Sequence, residues 1–330
     1  MAGTGVVLLA AAVLAAVSCL ASGWLRGWLA RRDIVDRPNA RSSHHRPTPR
    51  GGGLAVVPLV ALAWALGTVA FGADPALGGI AALAVALAAL SFRDDLKPMP
   101  VGVRLAAQAA AVGAGLTLLG DAPVLGGAVP LWADRLLAGL AWLWFVNLFN
   151  FMDGIDALAG VEALVIALGL VAVAWLQGAA LAVWWPPLAL AAAVAGFLVW
   201  NWPPARLFLG DAGSVGLGFL LGWLLLERAA AEQGAVALIL PAYFGADASL
   251  TLLKRLFRGA KIWQAHREHA YQRAVRAGRS HAWVVAHVGT AGAGLIACAL
   301  VAAGGTPGAA LLAAAGLTVA LLWRLRAPGC

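Results

Sequence analysis

The chain has 330 residues, 62% of them hydrophobic and only 12% charged, with a mean hydropathy of +0.86. A soluble domain carries about 25% charged residues, so half of the usual solubilising charge is missing and a water-soluble globule is excluded. The formal net charge of +8 and the pI near 10.4 therefore point to orientation in a membrane and to anionic lipid or phosphate partners, and not to nucleic acid.

Apolar runs of about 20 residues are long enough to cross the hydrocarbon core as helices. In chain order they fall at 4–24, 53–72, 77–92, 101–120, 135–151, 157–176, 181–200, 213–230, 235–253, 283–303 and 308–323. The start lacks a basic n-region, so 4–24 reads as an uncleaved span and not as a signal peptide. Cys19, Cys298 and Cys330 offer neither a disulfide pair nor a CxxC metal spacing. The expected fold is all-α and polytopic, with about 11 transmembrane helices in one integral-membrane domain over 1–330. Its cytoplasmic loops are expected at about 25–52, 93–100, 151–156, 201–212 and 254–282. Of the 23 Lys and Arg residues, only Arg135 and Arg228 fall on the opposite side, and Arg104 sits near the basic-side end of its helix. By the positive-inside rule the basic face is cytoplasmic, the N-terminus is outside and the C-terminus is cytoplasmic.

The polar motifs gather on that face. The first loop, from Arg37 to Gly53, is stiffened by prolines and ends in glycines that allow close backbone approach to a ligand. Arg41, His44, Arg46 and Arg50 are placed to grip phosphate; the alternative is ordinary topological charge. Asp94 and Asp95 close the third span. Adjacent carboxylates repel unless a cation such as Lys97 or Mg²⁺ compensates. Asn147, Asn150, Asp153 and Asp156 recur every third residue after the apolar run 136–149. Four such groups exceed what a helix cap needs, carboxylates are costly in a membrane, and a row of oxygen ligands suits a hard cation. Gly210-Asp-Ala-Gly-Ser214 precedes the eighth span; Asp211 is either a metal ligand at a helix dipole end or, with Ser214, an ordinary N-cap. His266-Arg-Glu-His269 lies in the largest basic loop with Arg267; it is not the HExxH zinc motif and fits pyrophosphate binding at least as well. Asp247 is expected mid-span, where an ionisable group is either functional or held by a neighbouring helix. Carboxylates, amides and Arg/His clusters on one face are the parts for phosphoryl chemistry, and no P-loop or dinucleotide fingerprint is present.

With these motifs in place, the chain resembles the polyprenyl-phosphate N-acetylhexosamine-1-phosphate transferases, glycosyltransferase family 4. The resemblance rests on five motifs in order: His44–Gly53, Asp94-Asp95, Asn147-x-x-Asn-x-x-Asp-Gly-x-Asp156, Gly210–Ser214 and His266-x-x-His269. It implies transfer of HexNAc-1-phosphate from a UDP-N-acetylhexosamine to undecaprenyl phosphate, with release of UMP, at the cytoplasmic face of a bacterial inner membrane. Mg²⁺ is the implied cofactor, with Mn²⁺ as a substitute, and a homodimer is left open. By motif position, Asp153 and Asp211 are the metal-site residues, and Asp94, Asp95, His266 and His269 are the catalytic group. His44, Arg50, Lys97, Asn147, Asn150, Asp156 and Arg267 are the substrate-binding candidates. The last loop has fewer histidines than the peptidoglycan-precursor enzymes, which resembles the O-antigen-initiating branch and leaves the sugar open.

A phosphate monoester is mostly dianionic at neutral pH, since its second pKa is about 6. The expected task is therefore to offset repulsion between two anions, with direct attack preferred over a covalent aspartyl route. The rival readings are a multi-pass transporter or lipid-linked sugar flippase, which predicts broken helices near mid-membrane, and an intramembrane aspartyl protease using Asp153 and Asp211.

Overall fold

The computed structural model describes residues 2–38, 46–260 and 266–326. It is a bundle of helices: α1 Ala2–Arg31, α2 Gly53–Phe71, α3 Ala76–Leu96, α4 Val101–Leu116, α5 Leu131–Phe151, α6 Leu158–Leu176, α7 Leu181–Asn201, α8 Gly210–Arg228, α9 Gly234–Ile239, α10 Ala242–Phe257, α11 Ala270–Arg276, α12 His281–Ala303 and α13 Pro307–Arg326. Among the described residues, eight helical stretches are long and apolar enough to cross a membrane, and α4 is a shorter apolar helix. The chain is a multi-pass membrane protein, and Val69, Leu312 and Trp323 are exposed on its apolar flanks.

Each of the eleven expected runs contains helix, but 235–253 is not one continuous helix. A π-helical turn at Ala229–Gln233, with Glu232 at φ 62°, follows α8, and Pro241 separates α9 from α10. Proline removes a backbone donor and clashes with the preceding turn, which accounts for the second break. The structure is also not purely helical. Val35–Asp36 and Thr48–Pro49 form a two-residue antiparallel ribbon, β1 and β2, that draws the first loop back toward the bundle.

Helix α8 is the axis. Residues 212–226 are all buried, and α8 packs against α2, α3 and α5. Small residues let its backbone approach its neighbours, as is usual where lipid offers no hydrophobic drive between helices. Trp142 of α5 seals this seam by stacking on Phe219 at 4.5 Å and donating its indole N–H to the Phe219 carbonyl at 3.0 Å. The polar motifs lie at the end of the bundle where α2, α4 and α8 begin and α3 and α5 finish.

Candidate active site

Backbone pairing sets the site's first wall. The Phe208 N–H donates to the Pro49 carbonyl at 2.8 Å, and the Gly51, Gly52 and Gly53 N–H groups donate to Phe208 and Leu209 carbonyls at 3.1, 2.8 and 2.9 Å. The first loop thus lies along the segment entering α8. A Cβ on Gly53 would strike the Gly213 backbone, so α2 and α8 start in direct backbone contact. This contact brings Arg50 to Asp211, 161 residues away in the chain.

Arg50 bridges two carboxylates. One of its guanidinium nitrogens lies 2.6 Å from Asp95 Oδ1 and 2.7 Å from Asp211 Oδ1. Asp95 also accepts the Asp211 backbone N–H through Oδ2 at 3.2 Å, so it caps α8 from outside. The capping alternative for Asp211 and Ser214 therefore does not hold, since α8 has no side-chain cap of its own. Asp94 turns the other way, accepting the Met99 N–H at 2.5 Å and Arg104 at 2.8 Å. Arg104 also reaches within 3.9 Å of Asp211 Oδ2. The compensation expected from Lys97 thus comes from Arg50 and Arg104. Lys97 itself is exposed at the end of α3 and does not line the cavity described below.

The amide and carboxylate ladder divides. Asn147 donates to Gln108 Oε1 at 2.9 Å and Asn150 to Ser214 Oγ at 2.8 Å. Asp153 sits in the turn after α5, deep in the protein mass with part of its surface open. Burial, with the charge of Asp211 added, pushes its carboxyl up to about 7. Asp156 does not join this group. It accepts the Ala205 N–H at 3.0 Å and lies 3.2 Å from His281 Nδ1, bracing the connection that leads to Asp211.

The last loop closes the far side. His266 and His269 have ring centroids 4.8 Å apart, and His269 is buried against Tyr271. Burial, then the neighbouring His269 and Arg255, push the His266 imidazole down to about 4, so it is neutral at pH 7. Glu268 pairs with Arg255 and Arg258. Arg267 is half-buried and does not line the cavity. His44 lies outside the described residues.

Part of this cluster lines a cavity of about 900 Å³; Arg50, Asp95, Asp153 and Asp156 stand behind its wall and do not line it. Its polar end carries Asp94, Arg104, Asn147, Asn150, Asp211 and His266, and its remaining wall is apolar, with Leu87, Leu140, Leu143 and Val101 among its residues. Among the described residues, no three His, Cys, Asp or Glu side chains gather closely enough to enclose a metal alone. That still fits a hard cation of the Mg²⁺ kind, which is usually held by one or two carboxylates, waters and substrate phosphates. Asp95 and Asp211 already converge on one nitrogen, and the donors are oxygens throughout. Arg104 and Gln108 are not among the sequence candidates, and Ser214 enters there only as a cap and as part of its motif. Arg104 reads as topological charge, while Gln108 and Ser214 carry no charge signal in an apolar helix.

Fold and site together define a multi-pass membrane protein with an acidic and basic cluster at one end of an apolar cavity. The model of glycosyl transferase family 4 matches residues 77–228. A Streptomyces coelicolor protein named as a glycosyltransferase is 34% identical over 307 residues, covering 90% of this chain and 69% of that one. The decaprenyl-phosphate N-acetylglucosaminephosphotransferase of Mycolicibacterium smegmatis is 28% identical, covering 81% and 75%. The undecaprenyl-phosphate alpha-N-acetylglucosaminyl 1-phosphate transferase of Escherichia coli K12 is 27% identical, covering 74% and 70%. The chain belongs to glycosyl transferase family 4, the polyprenyl-phosphate hexosamine-1-phosphate transferases.

Proposed function

We propose that this protein transfers HexNAc-1-phosphate from a UDP-N-acetylhexosamine to undecaprenyl phosphate, on the cytoplasmic face of a bacterial inner membrane, and so begins O-antigen or a related envelope glycan. The observation that carries this reading is the joining of a carboxylate and guanidinium cluster to an apolar wall in one cavity. A lipid phosphate needs both, with its head at the charged end and its prenyl chain along the apolar side.

A lipid phosphate oxygen attacks the sugar-bearing phosphorus. One P–O bond forms, the bond to the nucleoside phosphate breaks, and UMP leaves carrying the electron pair. Arg104, 38% exposed at the cavity wall, receives phosphate oxygens. Asn147 and Asn150 offer amides beside the acceptor, and neutral His266 hydrogen-bonds the donor. Asp211 with Asp95 or Asp153 would hold a divalent ion, which would supply charge neutralisation for the diphosphate and the leaving group. Both oxygens of Asp94 and of Asp95 already accept hydrogen bonds or face a guanidinium. That engagement supports direct attack over a covalent aspartyl-phosphate. The transporter alternative wants its broken helix to carry the binding site, whereas the residues of the irregular stretch at 229–241 do not line the cavity.

The test is a panel of UDP-N-acetylhexosamines offered to membranes containing the protein, read as sugar in the lipid extract. One donor is expected to label a pyrophosphate-linked lipid. No labelled lipid with any donor contradicts the proposal.

A further inference from the structure

Asp247 takes no part in the chemistry above, yet it is 2% exposed and lies about 15 Å short of the α10 C-terminus at 1.5 Å per residue. A carboxylate buried this completely must be satisfied by protein groups, so its contacts matter. Both carboxylate oxygens accept the Ala270 backbone N–H, at 2.8 and 3.0 Å. Thr251 and Tyr243, one turn to either side on α10, donate to it at 3.3 Å each. The next residue back, His269, has its Nδ1 3.7 Å from Asp247 Oδ1. One residue forward, Tyr271 donates to the Phe151 carbonyl at 3.1 Å, and a Cβ on Gly154 would strike its hydroxyl.

We infer that Asp247 is a positioning residue: it draws the His266–His269 loop down into the bundle, aims the His269 ring at the cavity, and through Tyr271 locks that loop to the turn that carries Asp153. The first N–H of α11 has no partner within its own helix, and a carboxylate is a strong acceptor for it. The Asp247 bond thus fixes the start of α11, and with it the ring before and the ring after. Two walls of the site that are 120 residues apart in the chain then move as one piece.

The inference rests on the proposed transferase activity for its kinetic arm, so the experiment has an arm that does not. Full-length protein in detergent is compared with Asp247→Asn by hydrogen exchange. Peptides covering 266–276 are expected to exchange at least tenfold faster in the variant, with α5 and α8 unchanged. In the kinetic arm, Asp247→Asn is expected to lower kcat about 100-fold, the scale of a misplacement near 1 Å, with the KM for polyprenyl phosphate within twofold of wild type. In the His269→Ala background the same substitution is expected to cost clearly less than 100-fold, because one of the two rings it positions is already gone. Should Asp247→Asn fail to fold, Ala270→Pro removes the same N–H at a helix position that tolerates proline and is expected to give the same exchange pattern. Unchanged exchange over 266–276, or a full 100-fold loss in the His269→Ala background, overturns the inference. Inactivity of the wild type with every donor defeats the transferase reading alone, and the exchange arm still decides on Asp247.

Discussion

At the residue scale, the site is a balance between carboxylates and guanidinium groups. Asp211 is held by Arg50 at 2.7 Å and stands on the first turn of α8. Asp211→Asn keeps the shape and removes the charge. Turnover is expected to fall by about 10³-fold or more, the upper range for removing one electrostatic stabiliser, with the melting temperature in detergent largely kept; UMP release and thermal unfolding measured on one preparation check both parts. Asp153 yields a pH prediction. Its carboxyl is raised from 3.8 to about 7, so the folded protein holds a proton that the unfolded chain has lost. Its contribution to stability therefore falls as pH climbs from about 4 to about 7. Metal binding has the opposite slope, because a ligating carboxylate must be ionised. Apparent Mn²⁺ affinity, titrated by electron paramagnetic resonance, is expected to rise from pH 6 to pH 7.5 and then level off, and Asp153→Asn is expected to flatten that rise.

At the element scale, the site depends on where helices begin. The α2 and α8 starts touch through Gly53 and Gly213, and this contact sets the Arg50 to Asp211 pairing. Gly53→Ala forces the two apart. It is expected to destabilise by about 1–3 kcal/mol, as overpacking does, and to cost more than tenfold in turnover even below the melting temperature; an equally bulky change at Gly78, which faces open space, is expected to leave both unchanged. The helices themselves were legible, because apolar runs of membrane length have few alternatives. The break at Pro241 was less so: the run stays apolar through it, and hydropathy does not register a missing N–H. The carboxylate motifs were legible as types, since charge in an oily chain stands out. Their partners were not. Asp94 and Asp95 are neighbours that serve different cations, and only packing decides that Arg104 goes to one and Arg50 to the other. Asp156 shares the spacing of Asp153 yet faces His281, because the turn after α5 breaks the helical stripe on which both would have lain.

At the scale of the whole molecule, function follows from placing charge at one end of an apolar bundle. The cavity of about 900 Å³ joins that charged end to a wall of leucine and valine, which suits an acceptor with a phosphate head and a prenyl tail. The most direct test of this account is UMP release from the selected UDP-N-acetylhexosamine by the purified protein, measured with and without divalent metal and with and without polyprenyl phosphate. The account predicts release only when metal and lipid phosphate are both present, and its loss in Asp211→Asn. Release that proceeds equally well without the lipid, or in the presence of a chelator, would contradict it.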